Sequence, residues 1–369
     1  LVQAKWSPPS VDVVDFGAVG DGVTDATGAF RSAFAAIEAR GGGVVVIPPG
    51  IFFINDSLVV TTNSTPISIS GAPGAALLWN CEEDFLRWEG NDPISGVQVE
   101  NFAIISTGVP KGRNSTAIQF IPGVVKSVLR DVMFIGNGGW PGGESLQIST
   151  PTTLGGIAVG MGVVTDTVTM RDCLVWFFRG GVVIGKGSEV RIQGMRLIGP
   201  GLRNDSSIGV HVTGNNGGVH VTTTDVIAWG IGMLMEDASG AGSNREIFIT
   251  HATFDSDGIG VLVRDDSYVS IAGCWAASSD QAQIWLAPTA QNTQLVVAGG
   301  TIFNGGVYFP GPVPPGQGNG LVVDAGTFSL SGVDIRNNRG VGVWVRNGNS
   351  AAYAISGSRV FENQQGMNL

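Results

Sequence analysis

The sequence contains little cysteine, histidine or lysine. Among its 369 residues there are three cysteines and three histidines, and only four of the 20 basic residues are lysine. Cys81, Cys173 and Cys274 lie far apart and form no C-x-x-C pair, so neither a zinc site nor a disulfide framework is indicated. We therefore expect no metal and no cofactor in this protein.

Charged residues and long apolar runs are also scarce. Charged residues make up 14% of the chain, and the formal net charge is −10. An acidic chain is poorly suited to bind nucleic acid or an anionic membrane surface. No apolar run reaches the roughly 18 residues that a membrane-spanning helix needs, so we expect a soluble protein.

Glycine and apolar residues are abundant instead. The chain has 57 glycines, about twice the usual proportion, and hydrophobic residues account for 43% of it. This composition indicates a folded protein with a substantial core rather than a disordered polar chain. Repetitive all-β chains of this length often form one body, so the number of domains has to come from the sequence pattern.

The first 60 residues predict a helix followed by two strands. Thr24 or Asp25 supplies an N-cap, and the glycines at 41–43 end the helix. Residues 44–47 and 51–54 then read as strands joined by a Pro-Pro-Gly turn. The helix itself is indicated by apolar residues at i, i+4 and i+7, namely Phe30, Phe34 and Ile37.

Two motifs in this region carry a family resemblance. Residues 15–25 read D-F-G-A-V-G-D-G-V-T-D, and residues 41–52 read G-G-G-V-V-V-I-P-P-G-I-F. The sequence resembles the N-terminal segment of the pectate-lyase superfamily, which includes polygalacturonase-like enzymes and phage tailspike depolymerases. The resemblance implies a right-handed parallel β-helix, a polysaccharide or oligosaccharide substrate, and an extracellular, secreted or virion-surface location. Asp21 and Asp25 are interpreted as turn and helix-cap residues rather than catalytic ones.

The remaining sequence repeats in a way that predicts the same fold. Its segments align in two columns, five residues apart, in which every residue is apolar. Such side chains stack about 4.8 Å apart inside a parallel β-helix, where a polar atom would find no water. The first column is Val128, Met170, Ile192, Val221, Ile249, Ile271, Val297, Leu330 and Ile355. The second is Met133, Val175, Leu197, Val226, Phe254, Ala276, Ile302, Ile335 and Val360.

We therefore predict an all-β chain folded as a right-handed parallel β-helix of about ten coils with a short N-terminal capping helix. It forms one domain over residues 1–369, with a cap and its first strands at 1–60 and the coils at 61–369.

A third strand in each repeat is apolar on both faces. If its first and third residues point inward, its middle residues point outward, and most of these are apolar. A long exposed apolar stripe is a liability for a soluble monomer. We predict that the stripe packs against other copies, most simply in a homotrimer; the alternative is a loop folded over the sheet. The outward residues are Val183, His211, Leu234, Leu262, Ile284, Val322 and Trp344.

The lengths of the turns predict a groove. Tall loops on both sides of short turns make a groove that crosses several coils, which suits a linear polymer. The long insertions are at 106–115, 136–154, 199–207 and 304–320, and the short turns are near residues 229, 255–258 and 278–280.

The short turns carry three aspartates. Asp255 and Asp257 are two positions apart, so in an extended segment they share one face with Cα atoms about 6.5 Å apart. Two carboxylates at such a separation can divide acid and base work at a glycosidic bond. Asp280 lies one repeat further on, and we expect the ring of Trp229, which aligns with Asp257, to stack on a sugar. The alternative is that residues 255–258 form a tight polar turn.

Several other residues are candidates, although each also fits a solvated loop or a bend. Glu236 and Asp237 follow a third strand near the predicted interface and form an alternative catalytic site. The candidates for binding sugar hydroxyls or carboxylates are Trp140, Glu144, Arg203, Asp205 and His220, the last on the outer face of a first strand.

Missing motifs narrow the chemistry that the resemblance implies. Polygalacturonases carry N-T-D, D-D, G-H-G and R-I-K on successive coils; here D-D occurs at 265–266, R-I-Q at 191–193 is a partial match, and G-H-G is absent. The D-P-H-E signature of alginate epimerases is also absent.

The function predicted best is therefore a polysaccharide-degrading glycoside hydrolase of the tailspike-depolymerase type. The second possibility is a polysaccharide lyase or an intramolecular glycosyl-transferring enzyme. The third is a fibre or adhesin that binds glycan without catalysis.

Overall fold

A computed structural model describes residues 8–61, 65–89, 94–107, 115–120, 124–136, 153–159, 165–185, 187–201, 203, 207–213, 216–236, 245–346 and 352–369. In this part of the chain the backbone winds into coils whose strands form three sheets. Neighbouring strands pair in parallel, each with the equivalent strand of the next coil. The predicted right-handed parallel β-helix is confirmed.

The sheets contain 14, 13 and 12 strands, so about ten coils was too low a prediction. The first sheet comprises Ser10–Asp12, Gly43–Ile47, Ile67–Gly71, Ile94–Ser95, Gln98–Glu100, Val124–Arg130, Thr165–Arg171, Gly187–Gln193, Asn216–Thr222, Arg245–Thr250, Ser267–Ala272, Gln294–Ala298, Thr327–Ser331 and Tyr353–Ser356. The second comprises Asp21–Asp25, Gly50–Ile54, Ala75–Trp79, Ala103–Ser106, Met133–Ile135, Leu174–Trp176, Arg196–Ile198, Asp225–Ile227, Thr253–Asp255, Trp275–Ala277, Thr301–Phe303, Asp334–Arg336 and Arg359–Phe361. The third comprises Leu58–Thr61, Leu86–Glu89, Ser115–Phe120, Thr153–Val159, Gly180–Ile184, Ile208–Thr213, Ile231–Glu236, Ile259–Val263, Ala282–Leu286, Asn319–Val323, Val341–Val345 and Gln365–Asn368.

The N-terminal end is covered by a 3₁₀ helix at Val13–Phe16 and the helix α1 at Thr27–Glu38. The predicted apolar face of α1 is buried in the core. The N-cap residue is Ala26, which has no side-chain acceptor, so Asp25 Oδ1 accepts a hydrogen bond from Thr27 N at 2.9 Å instead. No helix in the described ranges is long and apolar enough to cross a membrane.

The two predicted apolar columns are confirmed from the second repeat onward. In the first repeat, the inward residue of each column is one position later than predicted. Leu129, not Val128, is in register with Met170, and Phe134, not Met133, is in register with Val175. Met133 is 41% exposed. Each of these positions has an apolar neighbour in sequence, so hydrophobicity alone does not choose the inward one.

The outward row of the third sheet differs from its prediction at one position. Leu262 is in register with Trp285, so Trp285 points outward and Ile284 points into the core. The reason is that both residues are large and apolar, and only the coil-to-coil register separates them.

The apolar stripe on this sheet is already buried within one chain. Leu234, Leu262 and Val322 are each 2% exposed or less, and the two leucines belong to a separate apolar cluster against which Ile208 and Trp285 pack. The argument for a homotrimer from an uncovered stripe is therefore wrong. A homotrimer stays a prediction, which the particle mass in solution tests. Of the residues predicted for its interface, Val183, Leu234, Leu262, Ile284, Val322 and Trp344, the position of Ile284 is wrong, because that side chain is in the core.

A stack of glycines opens the third-sheet strands of the later coils. Six of these glycines have another coil stacked on them. A Cβ atom added at any of the six would lie 2.3–2.6 Å from a carbonyl oxygen of the next coil, which is closer than real Cβ atoms approach. Gln283 interrupts the stack between Gly260 and Gly320. The stacked glycines are Gly181, Gly209, Gly232, Gly260, Gly320 and Gly342, below Gly366 on the last coil.

We predict that Gly320→Ala lowers the free energy of unfolding by about 1–3 kcal/mol, because its methyl group would meet the Gly342 carbonyl oxygen at 2.4 Å. Gly366→Ala is the matched control, since nothing lies within 4 Å of a Cβ added there. Chemical denaturation of both variants measures the difference. Equal stability of the two would contradict the close approach.

Candidate active site

A turn from the second to the third sheet contains the predicted acid pair. Asp255 ends the strand Thr253–Asp255 and is partly exposed, whereas Asp257 is fully buried. Ser256 between them has φ of 62°, in the left-handed region. This residue breaks the extended geometry and turns Asp257 inward. The prediction that the two carboxylates share one face is therefore wrong.

The Asp257 side chain lies in the interior of the turn. Its Oδ1 accepts a hydrogen bond from Trp229 N at 2.8 Å, and its Oδ2 has no partner in the described structure. Burial raises the pKa of the Asp257 carboxyl well above its ordinary value, and the Trp229 hydrogen bond acts against this shift. The carboxyl is fully buried and does not reach the surface to act on a polymer.

Asparagines occupy the equivalent position on later coils. Asn338 Oδ1 accepts from Gly305 N at 2.9 Å, and Asn363 Oδ1 accepts from Asn338 N at 3.0 Å. Asp257 makes the same bond to Trp229 one coil below, so it belongs to this interior row of turn-stabilising side chains. The interpretation of residues 255–258 as a tight polar turn is confirmed for this residue.

Trp229 is also placed differently from its prediction. Its side chain is fully buried, and its Nε1 donates to the Leu197 carbonyl oxygen at 3.1 Å. The expectation that its ring stacks on a sugar is therefore wrong: an apolar ring in this row lies inside the tube, where it avoids water.

Asp280, on the next coil, forms an ion pair with Arg203. Asp280 Oδ1 lies 3.0 Å from Arg203 Nη1, and the two side chains are 18% and 27% exposed. Partial burial raises the pKa of the Asp280 carboxyl, and the Arg203 guanidinium acts against this shift. A raised pKa is the direction expected for a carboxyl that serves as a proton donor.

Two of the predicted long insertions meet above these short turns. The Arg203 guanidinium lies 3.7 Å from the centroid of the Tyr308 ring, and Tyr308 Oη lies 2.8 Å from Ser256 Oγ. Ser256 Oγ in turn donates to Asp255 Oδ1 at 3.1 Å. We call Arg203, Asp255, Ser256, Asp280 and Tyr308 the turn cluster.

Glycine at the end of the Asp-Ser-Asp-Gly turn allows the cluster to form. A Cβ atom on Gly258 would lie 2.5 Å from the Gly230 carbonyl oxygen and 3.0 Å from that of Arg203. Any larger residue would push the Arg203 segment away from the turn. The absence of a side chain at position 258 therefore lets the Arg203 backbone approach the turn closely.

The turn cluster combines groups suited to acid and base chemistry at an oxygen-rich substrate. It offers two partly exposed carboxylates, a guanidinium, and the hydroxyls of Ser256 and Tyr308. Tyr308 is 50% exposed, so the cluster is open to solvent. Nowhere in the described ranges do three or more His, Cys, Asp or Glu side chains group to hold a metal ion.

The alternative catalytic residue Glu236 lies elsewhere. Its Oε1 is 3.1 Å from His211 Nε2, and its Oε2 is 3.3 Å from Arg264 Nη1. The contact with His211 holds the pKa of Glu236 below its ordinary value. Glu236 ends a third-sheet strand and is not brought into the turn cluster. Its predicted neighbour Asp237 lies outside the described residues, as do Trp140, Glu144 and Asp205.

His220 is on the outer face of the first sheet, as predicted, but is not brought to the turn cluster. Its ring stacks on Phe248 with centroids 5.0 Å apart, and its Nε2 is 3.6 Å from Glu189 Oε2. Phe248 is followed by Tyr268 at 6.3 Å. A cavity of about 600 Å³ borders Tyr268, so this face forms a separate surface feature.

Sequence reasoning missed Tyr308 and Trp275. Trp275 is 46% exposed and lies on the outer face of the second sheet, one coil on from Thr253. The outward direction of Trp275 could have been predicted from the sequence. Ala276 is in the inward column, and neighbouring residues of a strand point to opposite faces. Tyr308 lies in a long insertion without periodicity, so no sequence signal placed it.

Comparison with family models identifies the surrounding fold. A model described as rhamnogalacturonase A/epimerase, pectate lyase-like, matches residues 10–194, and one described as right-handed beta helix region matches residues 156–360. In sequence, the chain is similar to a probable polygalacturonase of Arabidopsis thaliana, with 29% identity over 224 residues. That match covers 54% of this chain and 48% of the plant protein, so the chain spans about half the length of this relative.

Solved structures of two differently named enzymes have a similar fold. The DFA-IIIase of Arthrobacter chlorophenolicus A6, in complex with GF2, superposes with a TM-score of 0.69 and 14% identity over 94% of this chain and 93% of that one. The A-module of a mannuronan C-5 epimerase from Azotobacter vinelandii gives a TM-score of 0.65 and 13% identity, with 98% of each chain covered. Identities this low show a common fold and no common chemistry.

We predict that Asp257→Asn stabilises the protein by about 1–3 kcal/mol at pH 8, because the amide can donate to a carbonyl oxygen, as Asn338 Nδ2 does to that of Arg336 at 3.2 Å. The folded-state pKa of Asp257 is raised, so the wild type loses stability as pH increases above about 3.8, the ordinary value. The variant has no such loss, and its advantage in Tm should grow from pH 4 to pH 8. A lower Tm for Asp257→Asn at pH 8 would contradict the interior role of this carboxyl.

Proposed function

The chain belongs to the rhamnogalacturonase A/epimerase, pectate lyase-like family, and we propose that it is a glycoside hydrolase that cleaves a polysaccharide at the turn cluster. The observation that carries this proposal is the pair of partly exposed carboxylates on neighbouring coils, Asp255 and Asp280, with a raised pKa for Asp280. The similarity to a probable polygalacturonase supports a polysaccharide as the substrate class. Such polymers place the enzyme outside the cell or on a virion.

Asp280 is the general acid in this proposal. Cleavage of the glycosidic C–O bond leaves negative charge on the departing oxygen, and the Asp280 proton neutralises it. Arg203 then stabilises the Asp280 carboxylate that remains, through the ion pair at 3.0 Å. The surroundings of Asp280 therefore suit both its protonated and its deprotonated form.

Asp255 assists the attack of water in this proposal. Its carboxylate takes the proton that water loses as the new C–O bond forms at the anomeric carbon, so that one water is consumed for each bond cleaved. Ser256 orients the carboxylate through its hydroxyl, and Tyr308 holds Ser256 from the opposite side. Asp257 has no part in these steps, because it is buried.

Two other functions fit the fold and differ in their products. A lyase or epimerase would consume no water, and a lyase would leave an unsaturated sugar that absorbs ultraviolet light. A non-catalytic adhesin would bind glycan and leave its length unchanged. The hydrolase is preferred because the turn cluster presents two carboxylates and a single guanidinium, which is in an ion pair, whereas a lyase needs a basic residue at the sugar ring.

Mass spectrometry of products from a panel of polysaccharides tests the reaction type. We expect fragments whose masses exceed the sum of dehydrated sugar units by one water, with no gain in ultraviolet absorbance. Fragments without that added water, or an unchanged polymer, would overturn the hydrolase.

We predict that Asp280→Asn and Asp255→Asn each lower kcat at least 100-fold, because each removes one of the two proton-transfer groups. Asp225→Asn is the matched control: Asp225 also lies at a partly exposed position of the second sheet and is in register with Thr253. Steady-state kinetics on the identified substrate measures the effect. Full activity in either active-site variant would remove that residue from the mechanism.

We predict that Arg203→Gln moves the basic limb of the kcat/KM profile to higher pH. Arg203 lowers the pKa of Asp280, so its loss favours the protonated acid, which then persists to higher pH. A pH-rate profile of the variant measures the shift. A basic limb that stays in place or moves to lower pH would exclude Asp280 as the general acid.

A further inference from the structure

A strip of outward side chains leads away from the turn cluster along the second sheet. The row that contains Asp255 continues over the next coils through Ala277, Phe303 and Arg336, which are in register. Ala277 and Phe303 are buried, so the exposed surface is provided by Trp275 beside the row and by Arg336 at its end. Three coil spacings place Arg336 about 14 Å from Asp255 along the axis of the helix. The strip therefore begins at a residue of the turn cluster and runs toward the C-terminal coils.

Trp275 is an exposed aromatic ring at the start of this strip. It is 46% exposed, whereas Trp79, Trp88 and Trp229 are fully buried. It contacts Phe303 edge to face, with centroids 4.5 Å apart and an interplanar angle of 88°. This contact fixes the indole while leaving much of its surface open to solvent, so the ring is a rigid platform.

Arg336 provides hydrogen-bond donors at the other end. Its guanidinium lies 5.2 Å from the centroid of Phe303 and near enough to the Asp334 carboxyl to lower the pKa of that carboxyl, and no side-chain hydrogen bond of Arg336 is present among the described residues. Neighbouring arginines are engaged: Arg346 is paired with Asp324, and Arg359 with Asp334. A guanidinium held by stacking keeps its in-plane N–H groups available for a bound oxygen-rich molecule.

We propose that Trp275 and Arg336, both in contact with the buried ring of Phe303, form a binding subsite for a sugar unit of the polymer next to the turn cluster. The C–H face of the sugar ring stacks on the indole of Trp275, and an oxygen substituent accepts hydrogen bonds from Arg336. This inference rests on the proposed function, since the same polymer chain occupies the turn cluster.

The subsite implies a dependence on chain length. A short oligosaccharide that occupies the turn cluster alone does not reach Arg336, about 14 Å away from Asp255. A polymer contacts both the turn cluster and the subsite, and the contacts with the subsite increase its affinity. Replacing Arg336 should therefore raise KM for polymer while leaving KM for the smallest cleaved oligosaccharide unchanged.

Binding to the Asp280→Asn protein tests the subsite without turnover. Polygalacturonate and mannuronan, taken from the relatives' names, and dextran as a neutral polymer are the probes, with affinity measured by calorimetry or affinity electrophoresis. We expect Trp275→Ala to weaken polymer binding about tenfold and Arg336→Gln several-fold. Trp275→Phe should retain most of the affinity, because a ring remains to stack.

Tyr268→Ala is the matched control, because Tyr268 is 42% exposed and lies on the first sheet, away from the strip. It should bind polymer as the parent does. Polymer affinity that is unchanged in both strip variants, or an equal loss of affinity for the smallest oligosaccharide, would overturn the subsite. If the parent protein binds none of the three polymers, neither proposal stands for these glycans, whereas unchanged binding in the variants overturns the subsite alone.

Discussion

Parallel hydrogen bonding between successive coils determines which way the strand side chains point in the described part of this molecule. Each strand pairs residue by residue with the equivalent strand of the next coil, about 4.8 Å away, so an inward residue stacks on an inward residue. The residue after many second-sheet strands has positive φ, 65° at Ala228, 62° at Ser256 and 59° at Ser278, and there the next side chain is redirected. Asp255 and Asp257 have different environments for this reason.

The same coil-to-coil register determines which polar side chains are buried and which are exposed to solvent. The interior row of the turn accepts asparagines, whose amides satisfy their own hydrogen bonds, and it accepts Asp257 only with a raised pKa. Asp334, at the outer face of the second sheet, is paired with Arg359, and the hydrogen bond from that guanidinium lowers the pKa of its carboxyl. Asp280 is intermediate, partly buried and paired, which is the environment that suits a proton donor.

The fold could be read from the sequence because its signal is repeated on every coil. The inward columns, the capping helix and the turn interpretation of Asp25 all came from apolar spacing and helix-cap chemistry. The register was ambiguous where adjacent residues are both apolar, at Leu129 and at Trp285. The site was predicted less well: Asp280 and Arg203 were named, but a single left-handed residue reversed Asp257, and Tyr308 enters from an insertion with no periodic pattern.

A crystal structure of the Asp280→Asn protein with a bound oligosaccharide tests the central claim most directly. We expect the sugar chain to cross the turn between the second and third sheets, in contact with Asp255 and Tyr308. A chain bound on the outer face of the first sheet, along His220 and Tyr268, would contradict it.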